Sequence, residues 1–159
     1  MITFNGLKPM SQAAIQWRWL SFNELSVREL YQLLQLREQV FQIEQNSLYV
    51  DIDGQDQQAL HLLLSDGDTL LGYLRLLQPA PELLKLGRIV LAPAARGQKL
   101  GKPMIQEGIA KAKQLANHGT VKISAQLTLN DYYQSLGFTV ISSPYDDGGV
   151  LHQDMQLKL

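Results

Sequence analysis

The sequence predicts a single α/β domain on a mixed, mostly antiparallel sheet of about seven strands flanked by helices. Three observations carry this. Short runs rich in Val, Ile, Leu and aromatic residues alternate with segments of helical spacing, in the order strand, helix, three strands, helix, strand, helix, two strands. The 159 residues suffice for one core that buries roughly two thirds of the unfolded surface. Hydrophobic residues make up 45% and charged residues 18%, a balance of neither a disordered nor a membrane-embedded chain.

Gln16 to Phe22 alternates Trp17 and Trp19 with polar neighbours, as a first strand does. Ser26-Val27-Arg28-Glu29 has the capping-box form, in which Ser and Glu each satisfy a backbone donor at the start of a helix. Leu30, Leu33, Leu34, Val40 and Phe41 recur at helical spacing and face the core, while Arg28, Gln32 and Gln35 face away; where this helix ends is open. Asp51, Asp53 and Asp56 around Gly54 faintly resemble a calcium loop, but Leu62 stands where the closing Glu is required. That leaves an acidic loop facing a substrate, or a solvated turn.

Ala59–Leu64 and Thr69–Leu77 flank Ser65-Asp66-Gly67-Asp68 and predict a hairpin. Pro79-Ala80-Pro81-Glu82 breaks the run and opens a loop to a fourth strand at Leu86–Leu91. Pro103 to Asn117 has helical spacing at Ile105, Ile109, Ala112 and Ala116, and Pro103 suits a first turn, where no N–H partner is needed. Thr120–Gln126 is a fifth strand, and Leu129–Leu136 a short helix closed by Gly137. Phe138–Ser142 and Val150–Leu157 are the last strands, joined through Pro144–Gly149.

With 14 Lys and Arg against 15 Asp and Glu the net charge is −1, which gives no global field for nucleic acid. The absence of cysteine excludes disulfides, thiolate metal sites and a Cys nucleophile, and no metal site is expected. No run reaches the roughly 18 apolar residues of a membrane span. Met1 to Gln16 holds no apolar stretch long enough for a secretory signal, so a cytoplasmic location is expected.

Where the fourth strand hands over to the second helix stands Arg96-Gly97-Gln98-Lys99-Leu100-Gly101-Lys102-Pro103. First-turn N–H groups have no intrahelical acceptors and, with the helix dipole, attract an anion; Lys99 and Lys102 add full charge. This stretch resembles the pyrophosphate-binding loop of the GNAT acetyltransferases, Arg/Gln-x-x-Gly-x-Gly/Ala, with Arg96 and Gly101 at its ends and Lys99 in the place of the middle Gly. Asn130-Asp131-Tyr132-Tyr133-Gln134-Ser135-Leu136-Gly137-Phe138 is similar to the family's Tyr-x-x-x-Gly-Phe segment. Two matches in order are more specific than either alone. Leu36 to Phe41, Glu44-Gln45-Asn46, Tyr49 to Asp53, Gly87 to Val90, Ala125-Gln126 and Asp147 to His152 with Met155 resemble the ElaA-type branch. The resemblance covers residues 17–159 and leaves 1–16 as an N-terminal extension without assigned role.

The resemblance implies a splay between the fourth and fifth strands into which acetyl-CoA enters. Ile89, Val90 and Leu91 would pair with the pantetheine amides, and the Leu91 N–H would face the acetyl carbonyl as oxyanion donor. The pyrophosphate would lie on the backbone of Arg96, Gly97, Gln98, Lys99, Leu100, Gly101 and Lys102. Asn130 either contacts the cofactor or caps its helix. The resemblance also puts Tyr133 beside the departing thiolate, and a phenol of pKa about 10 is protonated at neutral pH and can donate. Acetyl transfer further requires a neutral amine. Arg88 stands where related enzymes often place a Glu and cannot accept a proton, which leaves Glu44, His61 and His152 as candidate bases. Arg37, Arg75 and Arg88 either bind an anionic part of the acceptor or balance the acids.

Thr128 and Ser143 differ from the His and Glu common in the ElaA-type pattern, so substrate choice has room to differ. The implied activity is acetyl-CoA-dependent N-acetyl transfer, directly to a primary amine of a small molecule or peptide, by one chain or a homodimer. Two alternatives remain: a non-catalytic acetyl-CoA sensor or partner-binding module, and a nucleotide or phosphate binder. Tyr133 speaks against the first, and the lack of a Gly-x-x-x-x-Gly-Lys-Ser/Thr loop against the second.

Overall fold

Strand β1 (Gln16–Ser21) lies at one edge of the sheet, antiparallel to β2 (Leu60–Asp66), which forms a hairpin with β3 (Thr69–Ala80). The computed structural model describes residues 14–159, so residues 1–13 of the segment read as an extension lie outside the described residues. β3 pairs antiparallel with β4 (Leu83–Leu91), β4 runs parallel to β5 (Thr120–Gln126), and β8 (Val150–Lys158) returns antiparallel beside β5. β6 (Thr139–Val140) and β7 (Tyr145–Asp147) both pair with β8.

Among the described residues the sheet thus has eight strands, in the order β1-β2-β3-β4-β5-β8-β6 with β7 on β8. The eighth is the expected connector: Tyr145–Asp147 forms a hairpin with Val150–His152 across Gly148 and Gly149, both at positive φ. A second correction concerns Pro79-Ala80-Pro81-Glu82, which is no loop. β3 runs through Pro79, Ala80 pairs with Leu83, and Pro81-Glu82 form the turn. Pro79 is tolerated because the β2 ladder ends at the Leu60–Leu76 pair, so no partner on that side needs its missing N–H.

Two layers of helix cover the sheet. On one face α2 (Gly101–Leu115) packs Met104, Ile105 and Ala112 on Leu62, Leu64, Leu74, Leu76, Leu84 and Leu86. Gly108 lets it sit close, since a Cβ there would lie 2.9 Å from Leu86 Cδ2. On the other face α1 (Val27–Arg37) packs Leu33 and Leu36 on Leu63 and Tyr73, the period-two partners of the first set. Each fully buried Leu contributes about 1.5–3 kcal/mol.

The capping box forms: Ser26 Oγ accepts from the Glu29 N–H (3.1 Å) and Glu29 Oε2 from the Ser26 N–H (2.9 Å). Past Arg37 the helix widens into a π-helical stretch, Glu38–Glu44, closed by Gln45 N–H to Val40 O. α3 (Asn130–Ser135) is capped by Leu129 without a side-chain bond, so Asn130 is not the cap, and Gly137 follows it at φ +99°. Among the described residues no helix is long and apolar enough to cross a membrane.

Candidate active site between two parting strands

β4 and β5 pair only at Leu83–Thr120, Leu84–Val121 and Lys85–Lys122, and beyond these they part. The remaining edge of β4, through Leu91, has no strand partner on that side among the described residues. A cavity of about 560 Å³ opens where the strands separate, walled among others by Ile89, Arg88, Ser124, Gln126, Tyr133 and His152. Of the expected site residues it brings together Ile89, Tyr133 and His152.

β4 carries a bulge. Tyr73 pairs with Val90 and Arg75 with Gly87, so Arg88 and Ile89 together oppose Leu74 alone, and Arg88 takes φ +52°. The extra residue shifts the alternation. Leu84 and Leu86 face the α2 side, then Ile89 and Leu91 do, while Val90 joins the α1 side. Ala92 N–H donates to Leu71 O of β3 (2.8 Å), so the preceding N–H, that of Leu91, points away from β3 toward the gap.

Tyr133 is buried, at 7% exposure, and its hydroxyl has no hydrogen-bond partner among the described residues. Burial, with a smaller effect of the neighbouring Tyr132, pushes its pKa up to about 12. Tyr132 and Phe138 hold the ring edge-on, with centroids 5.5 and 5.9 Å away. His152 stacks on Tyr145. Its Nδ1 lies 2.8 Å from Val150 O, which can only accept, so Nδ1 is the donor and the neutral ring has its lone pair on Nε2.

The other two candidate bases lie elsewhere. His61 is fully enclosed, with Nδ1 on the Tyr73 hydroxyl (2.6 Å) and Nε2 on Asp56 O (2.9 Å), and burial lowers its pKa. Glu44 receives two bonds from Arg96 (2.6 and 3.1 Å), which hold its carboxyl below the usual range. This pair ties the π-helical stretch to the phosphate-type loop.

That loop begins after a turn at Pro93–Ala95. Lys99 takes φ +59°, so the chain adopts the left-handed conformation at the place of the family's middle Gly, and Gly97 takes φ +78°. The N–H groups of Gly97, Lys99, Leu100, Gly101 and Lys102 have no acceptor among the described residues. Leu100 precedes the helix without a side-chain cap, which leaves the first turn open to an anion. The loop does not border the cavity but adjoins it: a Cβ on Gly101 would lie 3.8 Å from Tyr132 Oη and 3.9 Å from Leu91 Cδ1.

The three aspartates form neither a solvated turn nor an acid face. Arg37 binds Asp51 Oδ2 and Asp56 Oδ1 (both 2.9 Å), Arg75 binds Asp53 (2.7 Å) and Asp56 (2.9 Å), and Arg88 contacts Asp51 (2.8 Å) and Asp53 (3.2 Å). Burial opposes ionisation of Asp53, but the bonds from Arg75 prevail and bring its carboxyl down to about 2. The arginines therefore balance the acids. The alternation runs inside out, with Val50 and Ile52 exposed and Asp51 buried.

Sequence reasoning missed Tyr132 at the loop, although it adjoins Tyr133, and a hydrogen-bonded chain in the cavity wall. There Ser124 donates to the Tyr145 hydroxyl, which donates to Asp154 Oδ1 (2.6 Å). Asn130 Nδ2 bonds Gln153 Oε1, and its Oδ1 is buried without a partner among the described residues. Nothing local announces such pairings, since they form only when β8 lies beside β5. Among the described residues no group of His, Asp or Glu side chains is disposed to hold a metal ion.

The family model of the acetyltransferase (GNAT) domain matches residues 23–159. Over 145 residues the chain is 37% identical to protein ElaA of Escherichia coli, covering 89% of this chain and 95% of that protein. The crystal structure of E. coli ElaA matches with a TM-score of 0.84 over 89% of this chain and 99% of that one, at 35% identity. An acyl-CoA N-acyltransferase from Pseudomonas aeruginosa matches with a TM-score of 0.85 at 35% identity, over 90% of this chain and 99% of that one. A GNAT family acetyltransferase from Elizabethkingia anophelis with acetyl-CoA bound shares the fold at 17% identity and a TM-score of 0.66, over 93% of this chain and 100% of that one. Parted strands, an open N–H loop and a matching family model agree: the chain belongs to the GNAT acetyltransferase family, in the branch that includes ElaA.

Proposed function

We propose that the chain is an N-acetyltransferase that moves the acetyl group of acetyl-CoA directly to a primary amine, with both substrates bound together. The observation that carries the proposal is the gap between β4 and β5, which has the Leu91 N–H at its edge and the Tyr133 hydroxyl and His152 in its wall. The pyrophosphate lies on the N–H groups of Gly97 and Lys99 to Lys102, and the pantetheine pairs with the free edge of β4 at Ile89 and Leu91. Leu91 N–H donates to the thioester oxygen and stabilises the oxyanion of the tetrahedral intermediate. The amine nitrogen attacks the carbonyl carbon, the C–S bond breaks, and Tyr133 gives its proton to the departing sulfur.

The proton lost by the amine passes to His152 Nε2, directly or through water. His61 and Glu44 are left out of this role because each has its polar atoms engaged away from the cavity. Asp147 and Asp154 also border the cavity without an ion-pair partner among the described residues, so an ammonium group is drawn in before it is deprotonated. Leu48, Val50 and Ile52 stand exposed beside the cavity residues Ser47 and Tyr49 and offer an apolar rest for the body of a small amine or peptide.

The test is calorimetric titration with acetyl-CoA, CoA, ATP and NAD, followed by free-thiol release with a panel of amines, N-terminal peptides and lysine peptides. Binding of acetyl-CoA and CoA, and thiol release with at least one amine class, are expected. Tight acetyl-CoA binding with no thiol release from any acceptor would instead favour a non-catalytic sensor.

A further inference from the structure

We infer that Arg88, with Asp51 and Asp53, is a positioning device for the oxyanion donor: it clamps the β4 bulge in the conformation that aims the Leu91 N–H at the thioester carbonyl. The inference rests on the acetyl-transfer reading above and adds to it a residue outside the chemistry. Arg88 is the bulge residue in the left-handed region, at φ +52°, where an L side chain is disfavoured and persists only when its surroundings over-determine it. Here they do. Arg88 Nη2 donates to Asp51 O (3.0 Å) and Asp53 Oδ2 (3.2 Å), Nε lies 2.8 Å from Asp51 Oδ1, and the guanidinium sits 5.1 Å from the centroid of the Tyr49 ring.

Those partners are themselves fixed. Arg37 Nη2 donates to Asp51 O (2.8 Å), and Arg75 grips both oxygens of Asp53 (2.8 and 2.7 Å). The far side is therefore a rigid frame, anchored on α1 through Arg37 and on β3 through Arg75. Only two residues separate Arg88 from Leu91, and the bulge sets which N–H of that stretch turns to the gap. A loosened bulge lets the strand return toward regular alternation and carries the Leu91 N–H off its aim. The N–H loop at Gly97 to Lys102 lies after the strand, on the start of α2, so its grip on the pyrophosphate does not depend on the clamp.

The split between these two sites makes the inference testable without knowing the acceptor. Acetyl-CoA and CoA share the pyrophosphate, but only acetyl-CoA has the carbonyl. In Arg88→Ala the preference for acetyl-CoA over CoA should fall about five- to tenfold, the worth of one hydrogen bond, while any weakening of the pantetheine pairing is common to both ligands and cancels in that ratio. The infrared carbonyl band of acetyl-CoA isotope-labelled at the thioester carbon, lowered on binding to the native protein, should return toward its free position. Arg88→Gly, which takes φ +52° without strain and so guards against misfolding, should show the same loss, and Arg88→Lys a smaller one. An unchanged band and ratio in folded Arg88→Ala and Arg88→Gly would overturn the inference, as would an equal loss of both ligands, which marks a purely structural role. Failure of the native protein to bind either ligand would overturn the acetyl-transfer reading itself and this inference with it.

Discussion

Tyr133 is kept an acid by its surroundings. Burial raises its pKa to about 12, so the hydroxyl keeps its proton across the working range and, in the proposed reaction, has it in place to give to the departing sulfur. Tyr133→Phe should leave acetyl-CoA affinity unchanged and cut turnover by about 10²-fold or more, measured by calorimetry and thiol release. The sign of the pH effect follows: loss of rate through ionisation of Tyr133 should come near pH 12 rather than at the ordinary phenol value of about 10. The acid limb of kcat/KM belongs to the base or to the amine. If His152 is the base, His152→Gln should remove that limb, whereas an unshifted limb would assign it to the amine.

Two elements carry separate consequences. The N–H loop has room for a side chain at Gly101, since a Cβ would meet only Tyr132 Oη at 3.8 Å and Leu91 Cδ1 at 3.9 Å. Gly101→Asp should therefore fold and still lose acetyl-CoA binding, because it sets a negative charge where the proposal puts the pyrophosphate. Lys99→Ala keeps the same backbone demand at φ +59° and removes only the charge, so it should weaken binding by about 1 kcal/mol in calorimetry. In the Asp51–Asp56 segment, Arg37→Met leaves two buried carboxylates short of a partner and should cost about 3–5 kcal/mol in urea unfolding. Asp53 has a depressed pKa, so its contribution is whole above the ordinary carboxylate value of about 3.9 and is lost as pH falls toward about 2. Melting temperature should drop across that window, and less steeply in Asp53→Asn.

At the scale of the whole molecule, β4 parts from β5 and opens the gap in which the proposed reaction has two substrates meet. With no cysteine to hold an acetyl group, direct transfer is the expected route. Initial rates at varied acetyl-CoA and amine should give intersecting lines; parallel lines with a trapped acetyl-protein would refute it. The two sides of the gap are tied together at a distance. Glu44–Arg96 joins the π-helical stretch to the N–H loop across 52 residues, and Leu48 N–H to Gly148 O joins the outward-facing aliphatic segment to the β7–β8 turn. These links fix the mouth around the cavity.

Signals that depend on neighbours in the chain were legible. The capping box of Ser26 and Glu29, the Gly67 hairpin and Gly137 behind α3 satisfy their backbone locally, and these, the span of β5 and the open turn at Gly101 stand where residue spacing puts them. The loop motif and the Tyr133-to-Phe138 segment together pointed to the family. What tertiary structure decided was the fate of polar groups whose partners lie far along the chain. Asp51 and Asp53 read as a substrate-facing acidic loop or a solvated turn until Arg88, 35 and more residues away, comes down beside them, and His61 read as a candidate base until Tyr73 and Asp56 enclose it. Pro79 read as a break because spacing cannot tell that β2 stops short of it. Whether a charge is exposed or paired, and which N–H of a strand faces a gap, depends on what packs against it, and that is set only when the whole sheet is assembled.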